Sequence, residues 1–355
     1  MILRGVVVVV AVLGAVGAPG VAVAAEGGAQ RVCKVGDKRL TELSGLAATG
    51  DGYVVVNDGS DEASHRKIFF LDRKCKVART VSYPSRPRDT EDLGVAADGT
   101  LWVGDIGDND QSRDTIGLWR LALGAKTPQL YRLAYPDGPH NAETLLLTRA
   151  GTPIVVTKSV GAAGLYEPAG ALQAGKTTAL RQVGSVTVPL TGTSNPFGLP
   201  GRLVITGGAV SPDGTHAVLR TYADAFEYAV TGDDLVHAIT EGTPTQIAMP
   251  DEPQGESVAY TADGTALLTV SEESDGKPAV IQRYALAGRP AITSPPAASP
   301  TAAGPSASSA ASPPAKPKAQ TVANDSGVPT GLIVTGGFLI LAAAILGAVL
   351  LRRRR

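Results

Sequence analysis

Residues 91–99 read Glu91-Asp92-Leu93-Gly94-Val95-Ala96-Ala97-Asp98-Gly99, and Leu101-Trp102-Val103 follows at once. A short run of small and apolar residues thus leads into an Asp-Gly turn and then into a hydrophobic strand. The arrangement recurs. Ser44-Gly45-Leu46-Ala47-Ala48-Thr49-Gly50-Asp51-Gly52 precedes Tyr53-Val54-Val55-Val56. Gly208-Ala209-Val210-Ser211-Pro212-Asp213-Gly214 precedes Ala217-Val218-Leu219. Glu256-Ser257-Val258-Ala259-Tyr260-Thr261-Ala262-Asp263-Gly264 precedes Leu267-Leu268-Thr269-Val270. A weaker copy opens at Glu143 and ends at Gly151, before Ile154-Val155-Val156. Counted from Ser44, Glu91, Glu143, Gly207 and Glu256, the spacings are 47, 52, 64 and 49 residues. A period near 50 residues with room for about four short strands per unit is the mark of a β-propeller. The expectation is an all-β domain over residues 30–288, a propeller of five four-stranded blades. The long third unit, with its loop around 191–200, leaves room for a sixth. The competing arrangement is a β-sandwich with coincidental turn similarity.

Outside this domain the composition changes. Residues 289–327 are rich in Ala, Ser, Thr and Pro, with eight prolines between Pro290 and Pro317. Such a segment has little apolar surface to bury and reads as a disordered or polyproline-like linker. Residues 331–351 carry no charge and are followed by Arg352 to Arg355. At about 1.5 Å per residue that run reaches roughly 31 Å, the thickness of a bilayer core. It therefore reads as a transmembrane helix with a cytoplasmic basic tail, 352–355. Residues 1–25 have a single charge at Arg4, an apolar stretch and Ala22-Val23-Ala24, the pattern of a signal peptide. The two ends together predict a single-pass cell-membrane protein. Its N-terminal domain lies outside and its C-terminus in the cytoplasm, and its first partner is the membrane.

The net charge of −1 conceals an asymmetry. Without Arg4 and the four terminal arginines, 27 basic residues face 33 acidic ones, and no basic cluster remains. Nucleic acid is excluded as a partner on that ground, because its binding depends on phosphate neutralisation. Cys33 and Cys75 are the two cysteines. In an exported chain they read as one disulfide, closing a loop worth roughly 3–4 kcal/mol.

Thr41-Glu42-Leu43-Ser44-Gly45-Leu46, Asp89-Thr90-Glu91-Asp92-Leu93, Gly104-Asp105-Ile106-Gly107-Asp108-Asn109 and Asn141-Ala142-Glu143-Thr144 carry a further signal. They resemble motifs of secreted bacterial β-propellers, the poorly characterised phytase-like, esterase-like or NHL-like group. The likeness covers about residues 38–285, with Thr90 standing where that group usually has tryptophan. It implies the propeller fold and names no activity.

Register places Ser44, Glu91, Glu143 and Glu256 at one level of successive inner strands. The strands that follow end in Asn57-Asp58, Asp105, Lys158, Arg220 and Glu272. A ring of mixed charge, rich in carboxylates, is therefore expected around the axis. Glu91 and Asp92 are the candidate catalytic pair, as acid and base or as metal ligands. Glu143, Lys158, Arg220, Glu256 and Glu272 are the candidate ligand-binding set. Asp105, Asp108 and Asp110 are closely spaced oxygen donors with Gly107 at the bend, a candidate calcium site; the competing role is capping of turn amides. The histidines have no metal-ligand spacing, and neither a GxSxG elbow nor a P-loop is present. With no catalytic constellation visible, the leading functional expectation is a monomeric, surface-tethered interaction module with structural Ca²⁺, meeting a cell-envelope or small-molecule ligand. The alternatives are a metal-dependent hydrolase of phosphate or ester substrates using the channel carboxylates, and a structural envelope protein.

Overall fold

In the computed structural model, which describes residues 28–292, the repeats become antiparallel strands. Strand β1 (Gln30–Lys34) comes first, followed by β2 (Leu43–Thr49), β3 (Gly52–Asn57), β4 (Lys67–Asp72) and β5 (Val77–Ser82). The second group is β6 (Asp92–Val95), β7 (Leu101–Asp105), β8 (Ile116–Leu121) and β9 (Gln129–Ala134). The third is β10 (Ala142–Leu147), β11 (Pro153–Thr157), β12 (Ala163–Pro168) and β13 (Thr177–Val186). The fourth is β14 (Gly207–Val210), β15 (His216–Arg220), β16 (Asp224–Ala229) and β17 (Thr245–Ala248), with helix α1 (Leu235–Glu241) between its last two strands. The chain closes with β18 (Gly255–Tyr260), β19 (Ala266–Ser271) and β20 (Val280–Ala285). Strand β1 returns to pair with β20, Gln30 opposite Arg283 and Lys34 opposite Val280, so both ends of the domain share one sheet. Groups two and three form one continuous sheet through a short parallel pairing of β13 with β9.

The first strand of each group packs against the first strand of the next. Strand β2 lies on β6, β6 on β10, β10 on β14, β14 on β18, and β18 on β2. The ring therefore closes on itself, as a propeller requires and a sandwich does not. Burial falls from the axis outward. Strands β10 and β18 are buried at every position, whereas β5 and β9 are mostly exposed or half-buried. An inner strand has neighbours on both faces, which is why these runs are apolar without alternation. They are also rich in small residues, because the strands approach closely. A Cβ on Gly207 would collide with the Glu256 carbonyl on the adjacent strand.

No single core holds the domain. Five hydrophobic clusters lie among the described residues, one at each junction between neighbouring groups. At one of them Val54, Val56 and Ile68 of the first group meet Leu93, Val103 and Trp119 of the second. Cys33 and Cys75 are bonded, with Cα atoms 5.8 Å apart. The bridge ties β1 to the turn before β5 and so fastens the last sheet to the first. Residues 187–206 contain a short 3-10 turn (Pro200–Arg202) and no strand.

The expectation of a single-pass membrane protein is corrected. Among the described residues no helix is long and apolar enough to cross a membrane. The stretches read as signal peptide (1–25), linker (289–327), transmembrane helix (331–351) and basic tail (352–355) lie outside the described residues, apart from 289–292.

Candidate functional site

The inner strands share a local irregularity that turns their polar residue toward the axis. Pairing of β2 with β3 slips between Leu43 and Gly45, which leaves Ser44 in a bulge. Pairing of β10 with β11 slips between Ala142 and Thr144, at Glu143. Pairing of β18 with β19 slips between Gly255 and Ser257, at Glu256. A bulge adds one residue to a strand and re-aims its side chain. Three repeats therefore present a side chain from one level by one device. In the second group Glu91 stands immediately before β6, its N–H bonded to the Gly104 carbonyl at 2.9 Å.

Two connections bring further carboxylates to Glu91. Thr90 Oγ1 donates to the Asn57 carbonyl, which draws the end of β3, and with it Asp58, against the segment Asp89–Glu91. Asp105 holds the other side of that segment: its carboxylate accepts from Arg88 N at 3.1 Å and Asp89 N at 3.0 Å. Asp58, Asp89 and Glu91 thereby offer oxygens that all lie within 4.8 Å of one another, an arrangement able to hold a metal ion. Gly107 makes room for it, since a Cβ there would collide with Glu91 Oε1 and Asp89 Oδ2. Ser44 Oγ donates to Glu91 Oε2 at 3.1 Å.

Across the axis, Lys158 Nζ is paired with Glu143 Oε1 and donates to Tyr222 Oη at 2.9 Å. Tyr222 Oη in turn reaches Glu256 Oε1 at 3.4 Å, and Gln254 Nε2 donates to the same oxygen at 3.1 Å. Glu143 and Glu256 are 4% and 5% exposed. Each keeps a second, buried oxygen, Oε2, without a partner. A desolvated oxygen left unpaired is costly, and two of them at one axis mark the place as a site for a cation or a proton. The carboxyls titrate accordingly. Burial, reinforced by Asp89 and Glu256, pushes Asp58 well up. Burial, with Asp58 and Glu143 nearby, does the same to Glu91. Burial raises Glu143 to about 7 against the opposing pull of Lys158, and burial raises Glu256. Burial would lower Lys158, yet the charge of Glu143 and the neighbouring Tyr222 and Glu256 hold it well above its ordinary value.

Other expected site residues have different surroundings. Asp92 accepts from Leu93 N and Leu145 N, both at 2.8 Å, and so ties β6 to β10. Arg220 is fully buried and bonded to Glu252 at 3.0 Å and to the Ser257 carbonyl at 3.0 Å, a clasp between the fourth and fifth groups. Asp105 is paired with Arg113 at 2.9 Å, and Asp108 caps Ser112 N and Arg113 N. Asp110 is exposed and Glu272 half-buried. The Gly104–Asp110 loop thus supports the carboxylate cluster through Asp105 and Gly107, while the converging oxygens are those of Asp58, Asp89 and Glu91. Sequence reasoning missed Asp89, Tyr222 and Gln254 as site residues. Asp89 was visible in the Asp-Thr-Glu-Asp run; nothing marked Tyr222. A cleft of about 480 Å³ opens on Asp89 and Gly107 and is rimmed by Arg86, Arg88, Asn109 and Ser112.

No family model matches this chain, and no curated protein does. Solved structures do. One is a protein placed among the gluconolactonases, 14% identical over 73% of this chain and 92% of its own, with a TM-score of 0.40. Another is a luciferin-regenerating enzyme, 13% identical over 72% of this chain and 81% of its own, TM-score 0.39. A third is a gluconolactonase from Xanthomonas campestris, 16% identical over 76% of this chain and 99% of its own, TM-score 0.38. The expectation of an interaction module is corrected by the geometry of the axis. It depended on the lack of a catalytic constellation, whereas the axis assembles carboxylates, a lysine and a tyrosine in contact. The chain is an all-β protein of propeller type.

Proposed function

We propose that this protein is a metal-dependent hydrolase of ester substrates, phosphate or carboxylic, with its reaction centre at the axis of a five-bladed propeller. The observation that carries the reading is the convergence of Asp58, Asp89 and Glu91 beside two buried, unpartnered carboxylate oxygens. An all-oxygen, all-anionic donor set suits a hard divalent cation of the Ca²⁺ or Mg²⁺ class. The room kept by Gly107 fits the same purpose. When bound, such an ion polarises the scissile carbonyl or phosphoryl oxygen and acidifies a coordinated water.

The remaining work falls to the chain. Asp58, Asp89 and Glu91 would hold the ion, and Asp105 positions Asp89 through its backbone. Glu143 Oε2 accepts the proton of the attacking water, while Lys158 orients that carboxylate through Oε1. Tyr222 and Gln254 fix Glu256 on the opposite side. At the cleft rim Arg86 is paired with Asp61 at 2.6 Å, which leaves Arg88 to favour substrates that carry negative charge. The test is a panel of phosphate and carboxylic esters assayed on the full-length protein with and without Ca²⁺, Mg²⁺ or Mn²⁺. Cation-dependent turnover is expected. It should drop at least about 100-fold in Glu91→Gln, the scale of losing a charge-stabilising or proton-transferring group, with unchanged far-UV circular dichroism. Turnover that ignores the cation, or survives in Glu91→Gln, would sink the reading.

A further inference from the structure

The extra length of the third repeat lies in the connection between β13 and β14, at the rim where the inner strands begin. It is a pinned strap. Thr191 Oγ1 and Thr193 Oγ1 donate to the two oxygens of Asp224, which is fully buried. Arg202 Nε donates to the Thr193 carbonyl at 2.8 Å, and Asp251 N to the Ser194 carbonyl at 3.3 Å. Inside the strap Asn195 Oδ1 accepts from Phe197 N at 2.9 Å, an Asx turn. A Cβ on Gly201 would collide with that Asn195 oxygen, so glycine lets the turn close.

The product of this anchoring is the position of one ring. Phe197 lies with its centroid 4.3 Å from that of Tyr222, at an interplanar angle of 45°. Tyr222 is the residue whose hydroxyl joins Lys158 to Glu256. Phe197 is nonetheless half-buried, and on the same strap Leu190 and Leu199 are 63% and 54% exposed. A side chain serving only to fill space would be enclosed; this one keeps surface in water beside the reaction centre.

We propose that Phe197 is the specificity-determining residue of this site, and that the substrate is an ester bearing a planar, aromatic-sized group that rests on its ring. The inference builds on the hydrolase reading and names the substrate class of the same site. Calorimetric titration of the Ca²⁺-loaded, full-length protein with two matched pairs, benzoate against acetate and phenylphosphonate against methylphosphonate, tests it without turnover. In at least one pair the aryl member should bind about ten-fold tighter, the scale of one aromatic contact with its buried area. Phe197→Ala should bring that ratio below about three-fold and leave the smaller ligand unaffected, and Phe197→Tyr should restore it. In turnover, Phe197→Ala should raise KM for a phenyl ester with kcat unchanged, and leave KM for the methyl ester alone. Equal affinity within both pairs, no binding by any of the four, or a preference that survives in Phe197→Ala overturns the proposal. Glu91-dependent hydrolysis without an aryl preference would sink this inference alone. A Phe197-dependent aryl preference without hydrolysis would uphold it and sink the hydrolase reading instead.

Discussion

Gly107 and Arg220 show how differently two buried positions near one axis can act. Gly107 contributes nothing but space, and an added methyl would meet Glu91 Oε1 and Asp89 Oδ2. Gly107→Ala is therefore expected to weaken Ca²⁺ binding at least about ten-fold, or about 1.4 kcal/mol, with little change in melting temperature. Calorimetric titration checks the first and thermal denaturation the second. Arg220 is the opposite case. Its partner Glu252 also accepts from Thr269 at 2.7 Å and Tyr284 at 2.8 Å, so the ion pair is embedded in a network. Removing only the cation leaves a buried charge, and Arg220→Ala should cost about 3–5 kcal/mol in urea unfolding. The double replacement Arg220→Met with Glu252→Gln should cost less, because no charge is stranded. These residues also show what the sequence could disclose. Arg220 was legible as inward-facing from the repeat register, but its partner Glu252 sits in the connection between β17 and β18, outside the repeated motif. Asp105 and Asp108 read equally well as cation ligands or as caps, since both tasks need closely spaced oxygens near a glycine. Only the positions of Arg113 and the loop amides separate the two.

At the scale of elements, the repeat made the strands legible because each inner strand meets the same physical demands. It must be apolar on both faces, small where it crosses its neighbour, and end in a turn that accepts left-handed backbone. The turn glycines Gly99 and Gly264 have φ of 78° and 68°, values that side-chain-bearing residues rarely adopt. The bulges at Ser44, Glu143 and Glu256 were not legible as bulges, although the polar residue at each was. An extra residue in a strand changes no composition; it appears only in the pairing. The closure of the ring was hidden for a related reason. Strand β1 lies outside the repeat, and its pairing with β20 joins positions about 250 residues apart, a distance no local pattern records. The disulfide fastens that closure. Replacing both Cys33 and Cys75 by Ser should cost about 2–4 kcal/mol. The loss should show as earlier urea unfolding, and hydrogen exchange should rise first in β1. Unfolding that starts elsewhere would mean the bridge stabilises only its local turn.

Across the whole molecule the sheets surround an axis that concentrates negative charge, with Asp58, Asp89, Glu91, Glu143 and Glu256 facing a single ammonium at Lys158. Such an interior ties stability to protons and to cations. Glu143 is raised from 4.5 to about 7 by burial, and burial moves Asp58, Glu91 and Glu256 in the same direction. Below about pH 3 these groups are protonated in both the folded and the unfolded chain. As pH rises from there toward 7, the unfolded chain releases its protons while the folded chain keeps them, so the folded state binds more protons and stability falls. This is the reverse of a carboxylate held ionised by a partner. The cation-free protein should accordingly lose a few kcal/mol of stability, in order of magnitude, between about pH 4.5 and 7. A divalent ion at Asp58, Asp89 and Glu91 replaces those protons, so its stabilising effect should be small at pH 5 and large at pH 8. Melting curves at both pH values, with and without Ca²⁺, measure this directly. A Ca²⁺ effect of equal size at both would mean the ion binds outside the axis. A cation-free protein more stable at pH 8 than at pH 5 would mean the buried carboxyls are ionised in the fold, with partners other than a cation.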